Sequence, residues 1–232
     1  NIPFQIEFGK DHNTTQEVSN SCVGLLLENS SVVIRNTEFK NIFNRLDLYL
    51  PNVRSSAILM EDYSMGGNRN VLIEDYLNGS TPMRNKFNKV NMGICVTSKP
   101  NDLTLTIKGC EFDNSGFNYT PVSPDFYNTA ITIQGYLRRI QNINQRLVII
   151  NENTITNFRY GIHALNTPNL NIGSDASNNP FPNTIKFSLG ASPAIVDHYK
   201  GIWLQNCPNA RLTGGNGHMN PDIASDTEVT ST

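Results

Sequence analysis

Six times this chain returns to the same short phrase, and the interval between returns is the strongest constraint on its fold. The copies begin at Gly24-Leu25-Leu26-Leu27, Ala57-Ile58-Leu59-Met60, Gly93-Ile94-Cys95-Val96, Ala130-Ile131-Thr132-Ile133, Gly161-Ile162-His163-Ala164 and Gly201-Ile202-Trp203-Leu204. Their starts lie 33, 36, 37, 31 and 40 residues apart. A period in this range marks a stacked repeat, whose units bury their apolar faces only against neighbours. Apolar residues stand one and three places after each leading Gly or Ala, the period-two alternation of a strand.

A second strand follows in each copy: Val32-Val33-Ile34, Val71-Leu72-Ile73, Leu103 to Ile107, Leu147 to Ile150, Leu170-Asn171-Ile172 and Ala210-Arg211-Leu212. A third is legible at Asn36 to Asn41, Gly109 to Asn114 and Glu152 to Asn157. In those three copies the last apolar residue of the second strand and the apolar residue of the third are five positions apart. The connection between first and second strands varies freely, from 10 positions between Gly24 and Ile34 to 20 between Ala130 and Ile150. Three short strands per turn with one fixed corner predict a parallel β-helix of about six rungs. An α-solenoid is excluded, because no window carries an i, i+3, i+4 stripe and β-branched residues crowd the periodic positions. The 33 Asn residues fit the same picture. Asn tolerates the left-handed backbone of tight corners, and stacked in register its side chains form hydrogen-bonded ladders. Asn29, Asn166 and Asn206 occupy matching places after the first strand.

On these cassettes the chain, from about Cys22 to Gly215, resembles the right-handed parallel β-helix superfamily of pectate lyases, polygalacturonases, phage tailspikes and bacterial surface proteins. The resemblance implies a right-handed, single-stranded, all-β column. That scaffold hosts many unrelated functions. We expect residues 22–215 to form the column and residues 1–21 a cover strand or partial rung, since Ile2, Phe4, Ile6 and Phe8 alternate. Residues 216–232, with few apolar positions, are expected as a polar linker or tail. Six rungs at ~4.8 Å each give a column on the order of 30 Å long.

Charge and cysteines narrow the function classes. The formal net charge is −2, with both signs interspersed, so there is no electrostatic footprint for nucleic acid. Apolar runs of four or five residues fall far short of a membrane span. Cys22, Cys95, Cys110 and Cys207 lack metal-ligand spacing, and Cys22 and Cys95 fall two rungs apart, about 10 Å, too far to bridge. Four free thiols are expected, and no metal or cofactor.

The catalytic motifs of the resembling enzymes were sought on the same frame. The paired Asp residues and Gly-His-Gly of polygalacturonase-like members do not occur. The outward first-strand carboxylates are Glu28 and Glu61, about 5 Å apart on adjacent rungs; a retaining glycosidase pair needs such spacing. Nothing beside them resembles a sugar platform, and solvated decoration is the expectation. Pectate-lyase-like members hold Ca²⁺ in clustered carboxylates, whereas Asp175 stands alone in a polar loop that reads as a turn. Asn13, Asn29, Asn78 and Asn118 each begin an Asn-x-Ser/Thr sequon, as chance supplies in so Asn-rich a chain. Asp197-His198 lacks the context of a nucleophile.

One cluster stands out. Placing Gly161 on Gly201 sets Tyr160 beside Lys200, His163 beside the only Trp, Trp203, and Leu165 beside Gln205, with Thr132 and Gln134 on the preceding rung. Residues two and four after the Gly point outward, so an imidazole, an indole, two amides and a hydroxyl are expected on one exposed face. Aromatic bodies beside amides suit sugar rings, and a Lys or His near a Tyr suits proton abstraction. The competing expectation is packing. The outward column Leu26, Leu59, Cys95, Thr132, His163 and Trp203 is apolar for much of its length, so loops or a partner would cover it. The functional expectation is a secreted or cell-surface structural or adhesive protein that binds a polysaccharide or protein partner along the first sheet. Its composition is similar to that of repeat proteins that bacteria export, type IX secretion cargo among them, which adds export machinery as a partner. A polysaccharide lyase or glycoside hydrolase on the same face is the alternative.

Overall fold

The structure is a computed structural model that describes residues 5–8, 15–42, 55–62, 69–98, 103–116, 128–135, 148–175, 180–186, 200–213, 217–218 and 227–230. The chain enters through β1 (Gln5–Phe8) and β2 (Gln16–Ser19). It then makes six turns of three strands. These are β3 (Val23–Glu28), β4 (Ser31–Ile34) and β5 (Thr37–Ile42); then β6 (Ser56–Asp62) and β7 (Arg69–Glu74), a hairpin of β8 (Tyr76–Asn78) and β9 (Thr81–Met83), and β10 (Lys86–Val90). The third and fourth turns are β11 (Met92–Ser98), β12 (Leu103–Lys108) and β13 (Glu111–Asp113), and β14 (Thr129–Gly135), β15 (Val148–Asn151) and β16 (Thr154–Thr156). The last two are β17 (Tyr160–Leu165), β18 (Leu170–Ile172) and β19 (Thr184–Lys186), and β20 (Lys200–Gln205), β21 (Arg211–Leu212) and β22 (Gly217–His218), after which β23 (Thr227–Thr230) begins another.

First, second and third strands form separate seven-stranded sheets, and neighbours within each pair in parallel. This is a parallel β-helix of six complete rungs with a partial rung at each end. The register places Leu25, Ile58, Ile94, Ile131, Ile162 and Ile202 in one row, as the repeat predicts. No helix occurs among the described residues. The column also reaches beyond 22–215. β1 and β2 pair with β4 and β5, and within the segment expected as a polar tail β22 pairs with β19 and β23 with β20. Parallel pairing uses main-chain groups, which a polar segment carries in the same number as an apolar one.

Inward residues make a single core. Phe39, Phe87 and Phe112 stack face to face on successive third strands, with ring centroids 5.1 and 4.4 Å apart and planes within 9°. Phe158 closes the stack edge-on at 6.3 Å. The stack also dictates the leading glycine of the third repeat, because a Cβ on Gly93 would fall 2.6 Å from the Phe112 ring and 2.5 Å from the Ala130 carbonyl oxygen.

The fixed corner between second and third strands is built by asparagine. The register aligns Thr37, Asn85, Cys110, Asn153 and Asn183, all buried. Asn85 Oδ1 accepts from the Thr37 N–H at 3.1 Å, Asn153 Oδ1 from the Cys110 N–H at 3.0 Å, and Asn183 Oδ1 from the Asn153 N–H at 3.1 Å. Each Nδ2 donates to the last inward carbonyl of the rung before: Ile34 at 3.0 Å, Ile107 at 3.0 Å and Ile150 at 2.9 Å. Cys110 interrupts the series, its thiol reaching the Ile73 carbonyl at 3.6 Å while burial pushes its pKa well up. All four cysteines are free thiols.

The three legible corners turn through a left-handed residue two places after the last apolar one, at Asn36, Gly109 and Glu152. The second rung departs from five-residue spacing because the β8–β9 hairpin is inserted there, and the fifth because an antiparallel bridge joins Ser174 and Pro180. Both insertions bring the chain back to the corner it left, so Asn85 and Asn183 still enter the ladder. That is why Phe87 and Ile185 escape the five-residue rule.

Two outcomes follow. Asn153→Ala strands the buried Cys110 N–H and Ile107 carbonyl, and should lower unfolding stability in urea by about 2–4 kcal/mol. Deleting Tyr76 to Arg84 restores five-residue spacing between Ile73 and Phe87. With Asp75→Gly to supply the left-handed corner, the shortened chain should keep its far-UV circular dichroism and a single cooperative unfolding transition. Collapse of that transition would mean the hairpin holds the column together.

Candidate functional site

Every residue of the expected cluster falls where the register put it. On the first sheet Thr132, His163 and Trp203 lie in one row, Gln134, Leu165 and Gln205 in the next, and Tyr160 beside Lys200 at the start of the strands. The strand positions bring the side chains into contact. The His163 and Trp203 rings stack at 4.3 Å between centroids and 11° between planes. Tyr160 leans on both, 5.4 Å from Trp203 and 6.3 Å from His163. Lys200 Nζ lies 4.6 Å from the Trp203 ring centroid, in cation–π range. Arg159, which the sequence reading did not single out, sets its guanidinium 5.3 Å from the Tyr160 ring.

The face is not uniformly exposed, as the outward column was expected to be for binding. Leu26 at one end is 51% exposed, but Cys95 is fully buried, and His163 and Tyr160 retain only 4% and 6%. Trp203, Lys200 and Gln205 are half-buried. Thr132 Oγ1 is buried without a hydrogen-bond partner among the described residues. The open part of the cluster is therefore its last rung, and His163 forms the floor beneath Trp203.

His163 Nε2 and Gln205 Oε1 are 3.2 Å apart. An amide oxygen only accepts, so the proton of the neutral ring sits on Nε2. Burial holds the imidazole pKa below its ordinary 6.5; the Gln205 bond opposes this and the Lys200 charge adds to it. The site is thus a neutral imidazole with a stacked indole, rimmed by an ammonium and a primary amide. β14, β17 and β20 carry no Asp or Glu. The register partner of Trp203 on β23 is Glu228, within the segment expected as a tail.

The remaining sequence candidates separate. Glu28 and Glu61 are register partners on β3 and β6, four and three rungs from His163. Asp175 follows the bridged Ser174, and no group of three or more metal-binding side chains occurs among the described residues. Asn29 sits at a left-handed corner, while Asn13, Asn118 and Asp197-His198 lie outside the described residues. No described helix is long and apolar enough to cross a membrane. No protein-family model, curated protein or solved structure matches this chain.

The site gives a spectroscopic handle, because Trp203 is the only indole in the chain. A depressed histidine pKa means that the unfolded chain binds more protons between the folded value and 6.5. Stability from neutral His163 is therefore complete above that window and is lost as pH falls through it. Protonation puts a cation against the indole, so Trp203 emission should change with a midpoint below 6.5. His163→Gln should abolish that transition and reduce the loss of thermal stability between about pH 7.5 and 5.5. An unchanged emission profile in the variant would break the assignment.

Proposed function

We propose that this chain is a structural and adhesive β-helix of the extracellular space or cell surface, belonging with the pectate-lyase-like superfamily, that holds a polysaccharide along its first sheet. The observation that carries the reading is the half-buried Trp203 on a floor of stacked His163, with Lys200 and Gln205 at its rim. An indole edge or face presented among fixed donors accepts the apolar face of a sugar ring while the donors take its hydroxyls. The column supplies rigidity, since the strands that carry Trp203 and His163 are paired on both sides. Thr132, Gln134 and Tyr160 complete the proposed surface, and a protein partner on the same face is the other occupant it fits. Export, with secretion machinery of the type IX kind as a partner, belongs to the same proposal.

A glycan array on the purified chain tests it, with Trp203→Ala alongside. The expected result is a hit whose binding weakens about tenfold in the variant, equivalent to about 1.4 kcal/mol. Equal binding by both proteins would remove the ligand from this site. Cleavage of the bound polymer would replace the adhesive reading with the lyase or hydrolase one.

A further inference from the structure

The β8–β9 hairpin is the only antiparallel strand pair among the described residues, and it stands off the column at one corner. Leu77 to Pro82 are all exposed, Leu77 to 64%. Three residue pairs hold the hairpin, ending at Asn78 opposite Thr81, which leaves Gly79-Ser80 as a two-residue turn with positive φ at Gly79. An isolated two-stranded hairpin is marginal in water, so this tip opens independently of the rungs beneath it.

Asn78-Gly79 is a reactive pair. Three corner asparagines are held: Asn85, Asn153 and Asn183 are buried with both carboxamide atoms engaged. Asn78 is exposed, and its successor has no side chain to crowd an approach to the carboxamide carbon. Gly79 has a φ of +63°, a conformation that suits a residue without a side chain. Among 33 asparagines, glycine follows only Asn78 and Asn216, the latter outside the described residues.

We propose that Asn78 is a self-modifying site that converts through a succinimide to aspartate and isoaspartate. The Gly79 main-chain nitrogen gives up its proton and attacks Asn78 Cγ. The new C–N bond closes a five-membered ring, and the carboxamide nitrogen leaves with that proton as ammonia. Water then opens the ring at either carbonyl. Opening at one returns the normal backbone with an aspartate side chain; opening at the other leaves an isoaspartyl linkage, with one more methylene in the main chain. Either product makes the chain one unit more negative than its formal −2. The isoaspartyl product also breaks the fit between a two-residue turn and the strand twist, so the hairpin unpairs while the column stays folded.

The test is prolonged incubation of the folded chain in mildly alkaline buffer, followed by peptide mapping with mass spectrometry and enzymatic methylation of isoaspartate. The expected result is an amide-to-acid mass gain that appears first in the peptide carrying Asn78, with ammonia released in step. Far-UV circular dichroism should not change. Asn78→Gln should suppress the modification and keep the fold, and Gly79→Ala should slow it several-fold, straining only the turn at its positive φ. Three outcomes would overturn the proposal: an intact Asn78 when the urea-unfolded chain has converted, earlier conversion at a buried asparagine, or a glycan on the Asn78 amide, which removes the leaving group.

Discussion

The carboxamide of a corner asparagine is a spare piece of backbone, and the column depends on that equivalence. Strands in a parallel coil satisfy one another above and below, but where the chain turns from the second sheet to the third the main-chain groups point into the core. Left unpaired there, each would cost about 1–3 kcal/mol. Asn85, Asn153 and Asn183 each offer one acceptor to an N–H and one donor to a carbonyl of the preceding rung. The spacing of a single rung, ~4.8 Å, is what a side chain of that length bridges. Aspartate has the acceptors without the donor, and glutamine has both at the wrong reach. Cys110 shows the tolerance of the arrangement: its sulfur contacts the Ile73 carbonyl and the Asn85 amide on the same rung-to-rung path, at longer distances.

Because the ladder fixes the corner and not the chain between corners, insertions are absorbed without changing the register. The hairpin after Glu74 and the bridged loop after Gly173 each leave and return at the same place, and Asn85 and Asn183 resume the ladder. This explains which parts of the fold could be read in advance. First and second strands were legible in all six repeats because alternation is local. Third strands were legible only where the corner was short, at Phe39, Phe112 and Ile155. Phe87 belongs to the same stack but stands 14 residues from Ile73, so no fixed offset points to it. The strand at Thr227–Thr230 was missed for a different reason, since a polar segment shows little apolar alternation even when its main chain pairs.

The site was legible to the level of adjacency and no further. Register alone put His163 beside Trp203 and Tyr160 beside Lys200, and the His163 and Trp203 rings stack while Lys200 lies over the indole. Exposure was not legible. Leu26 and Cys95 have the same place in the repeat and the same outward direction, yet one is 51% exposed and the other fully buried. The neutral state of His163 likewise comes from burial more than from any partner named by the repeat.

That division has a mechanistic consequence. Inward rows and corner rows are occupied by residues that the stack itself demands, and each is repeated because each rung poses the same packing problem. Outward rows do not carry that repeated demand, and their burial varies from Leu26 at 51% exposed to Cys95 fully buried. From Thr132 to His163 to Trp203 the outward row changes from a small hydroxyl to a heteroaromatic to the largest side chain available, across three consecutive rungs. The stacked imidazole also orients the indole from one side, and Gln205 fixes the imidazole in turn. A surface aromatic held by two successive partners loses little conformational freedom when it meets a ligand. Preorganisation of that kind is what the proposed reading of Trp203 as a binding platform rests on.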